Sequence, residues 1–110
     1  MLWGPCGAER LVAVVKVGLY VRLEAKPGKE AELAQLLKSA LELAQAERET
    51  TVWYALQFGP STFGVFDAFV AETGREAHLN GQIAAALMAK APELLAQAPK
   101  IERVDILAAK

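Results

Sequence analysis

Few of the residues from which redox, metal or nucleophilic sites are built occur in this chain. Its 110 residues include one cysteine, Cys6, and one histidine, His78. A single thiol excludes an intrachain disulfide and a cysteine-based metal site; Cys6 itself reads as an incidental residue of a tail. Excess charge is also missing. Twelve lysines and arginines face 13 aspartates and glutamates, for a net charge of −1 and a pI near 5.8. That balance gives no electrostatic footprint for nucleic acid or an anionic membrane, so neither partner is expected. No apolar run approaches the ~20 residues that span a bilayer. Glu9 and Arg10 precede the apolar residues 11–15, the wrong order for a signal peptide, so a cytoplasmic location is expected.

Apolar residues, by contrast, are plentiful. They make up 54% of the chain, above the roughly 45–50% usual for globular domains. Either the core is large or a partner covers apolar surface. The length fits one domain. Residues 1–13, with Trp3, two glycines and a proline but no period, read as an N-terminal extension to a domain spanning 14–110.

Val15, Val17, Leu19, Val21 and Leu23 alternate with Lys16, Gly18, Tyr20, Arg22 and Glu24, which predicts a strand with one dry face. Lys26-Pro27-Gly28-Lys29 is a turn. Leu33, Leu36, Leu37, Ala40, Leu41 and Ala44 then recur at helical spacing, predicting one helix over residues 29–47. Strands over 51–58 and 63–70, joined by Gly59-Pro60-Ser61-Thr62, form an antiparallel hairpin. A second helix starts at Thr73, whose spacing to Glu76 fits a capping box, and Pro92 breaks or restarts it. A last strand covers residues 101–108.

The order β-α-β-β-α-β specifies an α+β, ferredoxin-like sandwich. Four antiparallel strands carry both helices on one face, with the first and third strands central. The other face should be polar if it met water. Instead both sides of the hairpin are apolar or aromatic. A second copy packed sheet to sheet is the simplest cover, so a homodimer is expected.

The chemistry-bearing residues gather between Thr51 and Gly81. His78 has the one side chain whose ordinary pKa suits proton transfer near neutrality, and is the candidate catalytic base. The alternative is a structural histidine at the sheet edge. Trp53 could donate from its indole and stack on a flat substrate, or simply pack; Tyr20 and Tyr54 pose the same choice. Asp67, a carboxylate in an otherwise apolar strand, needs a partner, with Arg22, Arg103 and His78 as candidates. It either fixes register or the dimer as an ion pair, or orients His78. Asn80 and Gln82 could bond a substrate carbonyl. Gly-Pro-Ser-Thr is not a phosphate loop, since it lacks the Gly-Lys-Ser/Thr ending.

The segments VGLYVRLEAKPGKEAEL, TTVWYALQFGPSTFGVFDAF and EAHLNG together resemble the antibiotic biosynthesis monooxygenase family of the dimeric α+β barrel superfamily. The resemblance covers about Lys16 to Ala109. It implies oxygen chemistry without a cofactor on a small electron-rich aromatic, a quinol or phenol, bound between sheet and helices. The family's version of this helix usually carries a histidine at the position of His78, the candidate catalytic residue; Trp53, Tyr54, Asp67 and Asn80 are the candidate substrate contacts from their own chemistry. Haem-degrading relatives ligate iron through a histidine in the middle of the second helix; here residues 83–88 contain none, which speaks against haem. The competing expectation is a non-catalytic homodimer that binds a small apolar ligand or serves as a stress-associated protein.

Overall fold

The computed structural model describes residues 14–110. The expected extension, with Trp3 and Cys6, lies outside the described residues. Alternation makes a strand of Val17–Glu24 (β1), with Leu19, Val21 and Leu23 buried. The following turn reverses at Gly28, whose φ of 87° lies in the left-handed region that glycine enters without steric cost. Leu33 and Leu37 then share the buried face of α1 (Glu30–Ser39).

The single helix expected over 29–47 is in fact two. The chain leaves the helix at Ser39 and resumes as α2 (Leu41–Ala46). Ser39 Oγ donates to the Leu36 carbonyl at 2.8 Å, and the Ala40 amide is shared between the carbonyls of Leu36 and Leu37. A hydroxyl that competes for a helix carbonyl loosens the ladder at that point.

The hairpin forms as β2 (Val52–Gln57) and β3 (Thr62–Phe69), closed by the Phe58 amide on the Thr62 carbonyl at 2.8 Å. Next come α3 (Glu72–Leu79), α4 (Gln82–Leu94) and β4 (Lys100–Asp105). The expected capping box does not form. The helix starts at Glu72, which leaves Ala71 at the cap and Thr73 inside the first turn. Glu76 pairs with Arg103 instead, at 2.6 Å. Pro92 lies inside the last turn of α4 rather than dividing it, so the loss of one amide donor shortens the helix by little.

The sheet order is β2-β3-β1-β4, and every neighbouring pair is antiparallel. This is the expected ferredoxin-like α+β arrangement, with β1 and β3 central. Register decides which residues share a face. Leu19, Asp67 and Trp53 stand in one row, Val21, Val65 and Ala55 in the next, and Leu23, Phe63 and Gln57 in the third. These rows face the helices, where Val21, Leu23, Phe63 and Val65 pack with Leu33, Leu37 and Leu95. Each such buried side chain stabilises the fold by about 1.5–3 kcal/mol.

The opposite face carries rows of Tyr20, Phe66 and Tyr54, and of Arg22, Gly64 and Leu56. Arg22 donates to the Tyr20 hydroxyl at 3.3 Å, and its guanidinium lies 5.2 Å from the Phe58 ring centroid. Phe58 rests over Gly64, where an added Cβ would stand 2.9 Å from the ring. Tyr54 and Phe58 remain 58% and 51% exposed. The open face is therefore aromatic, as the hairpin pattern indicated.

Candidate active site

A carboxylate alone in a dry strand needs a cation, because an unpaired charge there is strongly disfavoured. Asp67 of β3 is fully buried. Of its three possible partners, Arg22 lies on the opposite face and Arg103 binds Glu72 and Glu76. His78 is the partner: its Nε2 stands 3.0 Å from Asp67 Oδ2. The approach is an ion-pair contact lying off the line of a hydrogen bond. Among the described residues, neither Asp67 oxygen has a hydrogen-bond partner.

His78 belongs to the last turn of α3 rather than to its start, and it is buried against Phe69, ring centroids 5.6 Å apart. Its Nδ1 contacts Glu47 Oε1 at 2.6 Å, and Thr50 Oγ1 donates to the same oxygen at 2.7 Å. Burial by itself pushes the imidazole pKa down, but contact with Asp67 and then Glu47 outweighs it and raises the value to about 9. The position in the last helical turn favours a cation as well. The raised pKa favours the imidazolium near neutral pH, its Nδ1–H donating to Glu47 and its Nε2–H held against Asp67 as an ion pair.

Trp53 of β2 stands directly across from Asp67. Its indole Nε1 is buried and has no hydrogen-bond partner among the described residues. Buried N–H groups without acceptors are uncommon. Trp53, Asp67 and His78 are thus brought to one side of the sheet. Tyr54 points to the other side, and Asn80, just past α3, donates to the Glu76 carbonyl at 2.9 Å.

Two clefts flank this group and share no lining residue. One, of about 390 Å³, runs along the β2 edge beside Trp53, lined also by Leu37, Lys38 and Leu41. The other, of about 260 Å³, exposes the far side of His78 beside Glu47, Arg48, Glu49 and Gly74. An apolar cavity reached by both Trp53 and His78 would be the simplest substrate chamber; here each residue lines a separate cleft. Among the described residues, no cluster of ligating side chains is arranged to hold a metal ion.

Glu47, Thr50 and Arg75 escaped the sequence reading. Glu47 and Thr50 lie in the polar run AERET, which has no period and looks like a solvated loop. Arg75 reads in the sequence as one more helix charge, yet it is buried, donating to the Gly18 and Val104 carbonyls at 3.1 and 3.2 Å. The signal available for Glu47 was indirect: a histidine beside an aspartate leaves its second nitrogen in search of an acceptor.

No protein-family model matches this chain, and no curated protein does. Solved structures do. NE2512 of Nitrosomonas europaea, a protein of unknown function, is 69% identical, with 87% of this chain and 93% of that one covered at a TM-score of 0.86. A protein of Caulobacter crescentus, for which the name antibiotic biosynthesis monooxygenase is proposed, is 20% identical over 93% and 99% of the two chains, with a TM-score of 0.74. A second Nitrosomonas europaea protein with the same proposed name is 16% identical over 84% and 99%, with a TM-score of 0.76. The resemblance drawn from the sequence is borne out in these matches. At 69% identity over most of both chains, this protein belongs to the family of Nitrosomonas europaea NE2512, and it has the fold of the proteins named for antibiotic biosynthesis monooxygenases.

Proposed function

We propose that this protein is a cytoplasmic homodimer, paired through its open sheet face, that oxidises a small phenol or quinol with molecular oxygen and no cofactor. The observation that carries the reading is the facing pair of Trp53 and Asp67. Among the described residues the indole N–H has no acceptor and Asp67 Oδ1, the oxygen turned away from the His78 contact, has no donor; together they match one phenolic hydroxyl, which offers both. The apolar cleft along β2 reaches Trp53 and offers a flat ring an approach on that side.

Contact with two carboxylates favours the protonated ring at His78, so in this reading Asp67 accepts the proton. Asp67 takes the phenolic proton while Trp53 Nε1 donates to the phenolate oxygen. The phenolate gives one electron to O2, and the resulting radicals combine at a ring carbon. Asp67 returns its proton to the peroxide. Loss of the C–H proton as the O–O bond breaks leaves a carbonyl and releases water. Phenol and O2 thus become quinone and water, with all four electrons supplied by the substrate. His78 keeps a positive charge beside the developing anions.

Oxygen uptake over a panel of quinols and phenols tests this, with ¹⁸O2 expected to place one labelled atom in the product. Absence of uptake across the panel would refute the oxygenase. A second reading, a non-catalytic ligand-binding dimer, draws on a different observation: the clefts of Trp53 and His78 do not join. It predicts saturable binding of the same phenols without oxygen consumption.

A further inference from the structure

We infer that Glu47 is a positioning residue that carries the Nδ1 proton of His78 to and from solvent in step with proton gain and loss at Asp67. The inference rests on the proposed proton acceptance at Asp67 and adds the device that balances it. Asp67, His78 and Glu47 form one continuous contact, 3.0 Å on Nε2 and 2.6 Å on Nδ1. Side-chain exposure rises along it, from 1% at Asp67 to 8% at His78 and 22% at Glu47. The outer end opens on the 260 Å³ cleft.

A structural ion pair for Asp67 would need only His78. The second carboxylate leaves the three groups with one net negative charge, and it is held in place deliberately. Thr50 donates to the oxygen that contacts the ring. Gly81 admits the other oxygen of Glu47, where a Cβ would stand at 3.1 Å, and Gly74 admits the neighbouring Glu49 backbone. Other charges near the ring are Arg48 and Glu49 in the cleft; Arg75, on the same helix, is turned toward Glu72 and the sheet carbonyls.

When Asp67 takes a proton, the buried group loses its negative charge. Release of the Nδ1 proton through Glu47 to water restores it, and the neutral ring keeps its Nε2–H toward Asp67. When Asp67 returns its proton, the Nδ1 site is refilled by the same route. No electrons move, and each cycle ends where it began.

Ring-proton exchange of His78 in ¹⁵N-labelled full-length protein tests the coupling. The Nδ1 proton should exchange with water at least tenfold faster than the Nε2 proton. Glu47→Gln should slow Nδ1 exchange at least tenfold, and Glu47→Asp should recover most of the rate. Equal exchange at both nitrogens in the unaltered protein overturns the inference without any variant; so does unchanged exchange in a folded Glu47→Gln. With an active substrate, Glu47→Gln should also shift the pH profile of oxygen uptake. If no substrate is turned over, the oxygenase reading falls, while the exchange measurement still decides the coupling.

Discussion

Trp53 and Asp67 face each other across β2 and β3; among the described residues the buried indole N–H has no acceptor, and the buried carboxylate is met by His78 alone. Trp53→Phe keeps the ring and removes only the N–H. Removal of an unsatisfied donor should leave the ligand-free protein as stable as before or slightly more so. Loss of the hydrogen bond should weaken phenol binding by about 1 kcal/mol, five- to tenfold. Thermal melting beside calorimetric titration checks both arms. A tryptophan that only packs would show unchanged affinity.

Asp67→Asn removes the charge and nearly preserves the shape. Turnover should fall by at least about 100-fold, the usual scale for a lost proton acceptor. The dimer should stay intact by sedimentation. A variant that dissociates instead would assign Asp67 to holding the fold or the assembly.

The pH dependence of stability follows from His78. Its folded pKa of about 9 lies above the ordinary 6.5, so the protonated ring stabilises the native state. That contribution is complete below about pH 6.5 and is lost as pH rises through about 9. Its size is roughly 2 kcal/mol, less than the full shift converts to, because Glu47 reaches solvent and screens its share. The melting temperature should therefore drop between pH 7 and 10, and His78→Gln should lack that part of the drop.

Gly74→Ala tests the packing that sets the Glu47 carboxylate. The new Cβ would meet the Glu49 Cβ at 3.0 Å and its carbonyl at 3.1 Å. Backbone does not yield cheaply, so the loop should move off α3 and the fold should lose about 1–3 kcal/mol. His78 should titrate at lower pH as its contact with Glu47 lengthens, which NMR titration would detect.

Phe66 stands between Tyr20 and Tyr54 in the middle of the open face. Phe66→Glu places a charge where the proposed dimer would bury it. Sedimentation at micromolar concentration should give a dimer for the unaltered chain and a monomer for the variant. A monomer in both cases would refute the assembly.

Much of the architecture is written in local periodicity. Alternation at Leu19, Val21 and Leu23 and the spacing of Leu33 and Leu37 are properties of neighbouring residues, and the elements they mark are present. Element ends were less legible. The break at Ala40 and the start at Glu72 depend on which carbonyls and side chains find partners, and those partners arise only in the folded chain. The lone histidine and the aspartate set among apolar residues could be marked as chemistry because burial of a charge demands an explanation wherever it occurs. The sequence also determined that one sheet face would be aromatic, since period two assigns alternate residues to opposite sides. Only the tertiary structure decided that Trp53 shares its side with Asp67 while Tyr54 does not, through the register of β2 on β3. Only it brought Glu47, 31 residues away, onto His78 and so helped to raise the pKa of the ring. Charge state depends on distance in space, and no spacing along the chain encodes that distance.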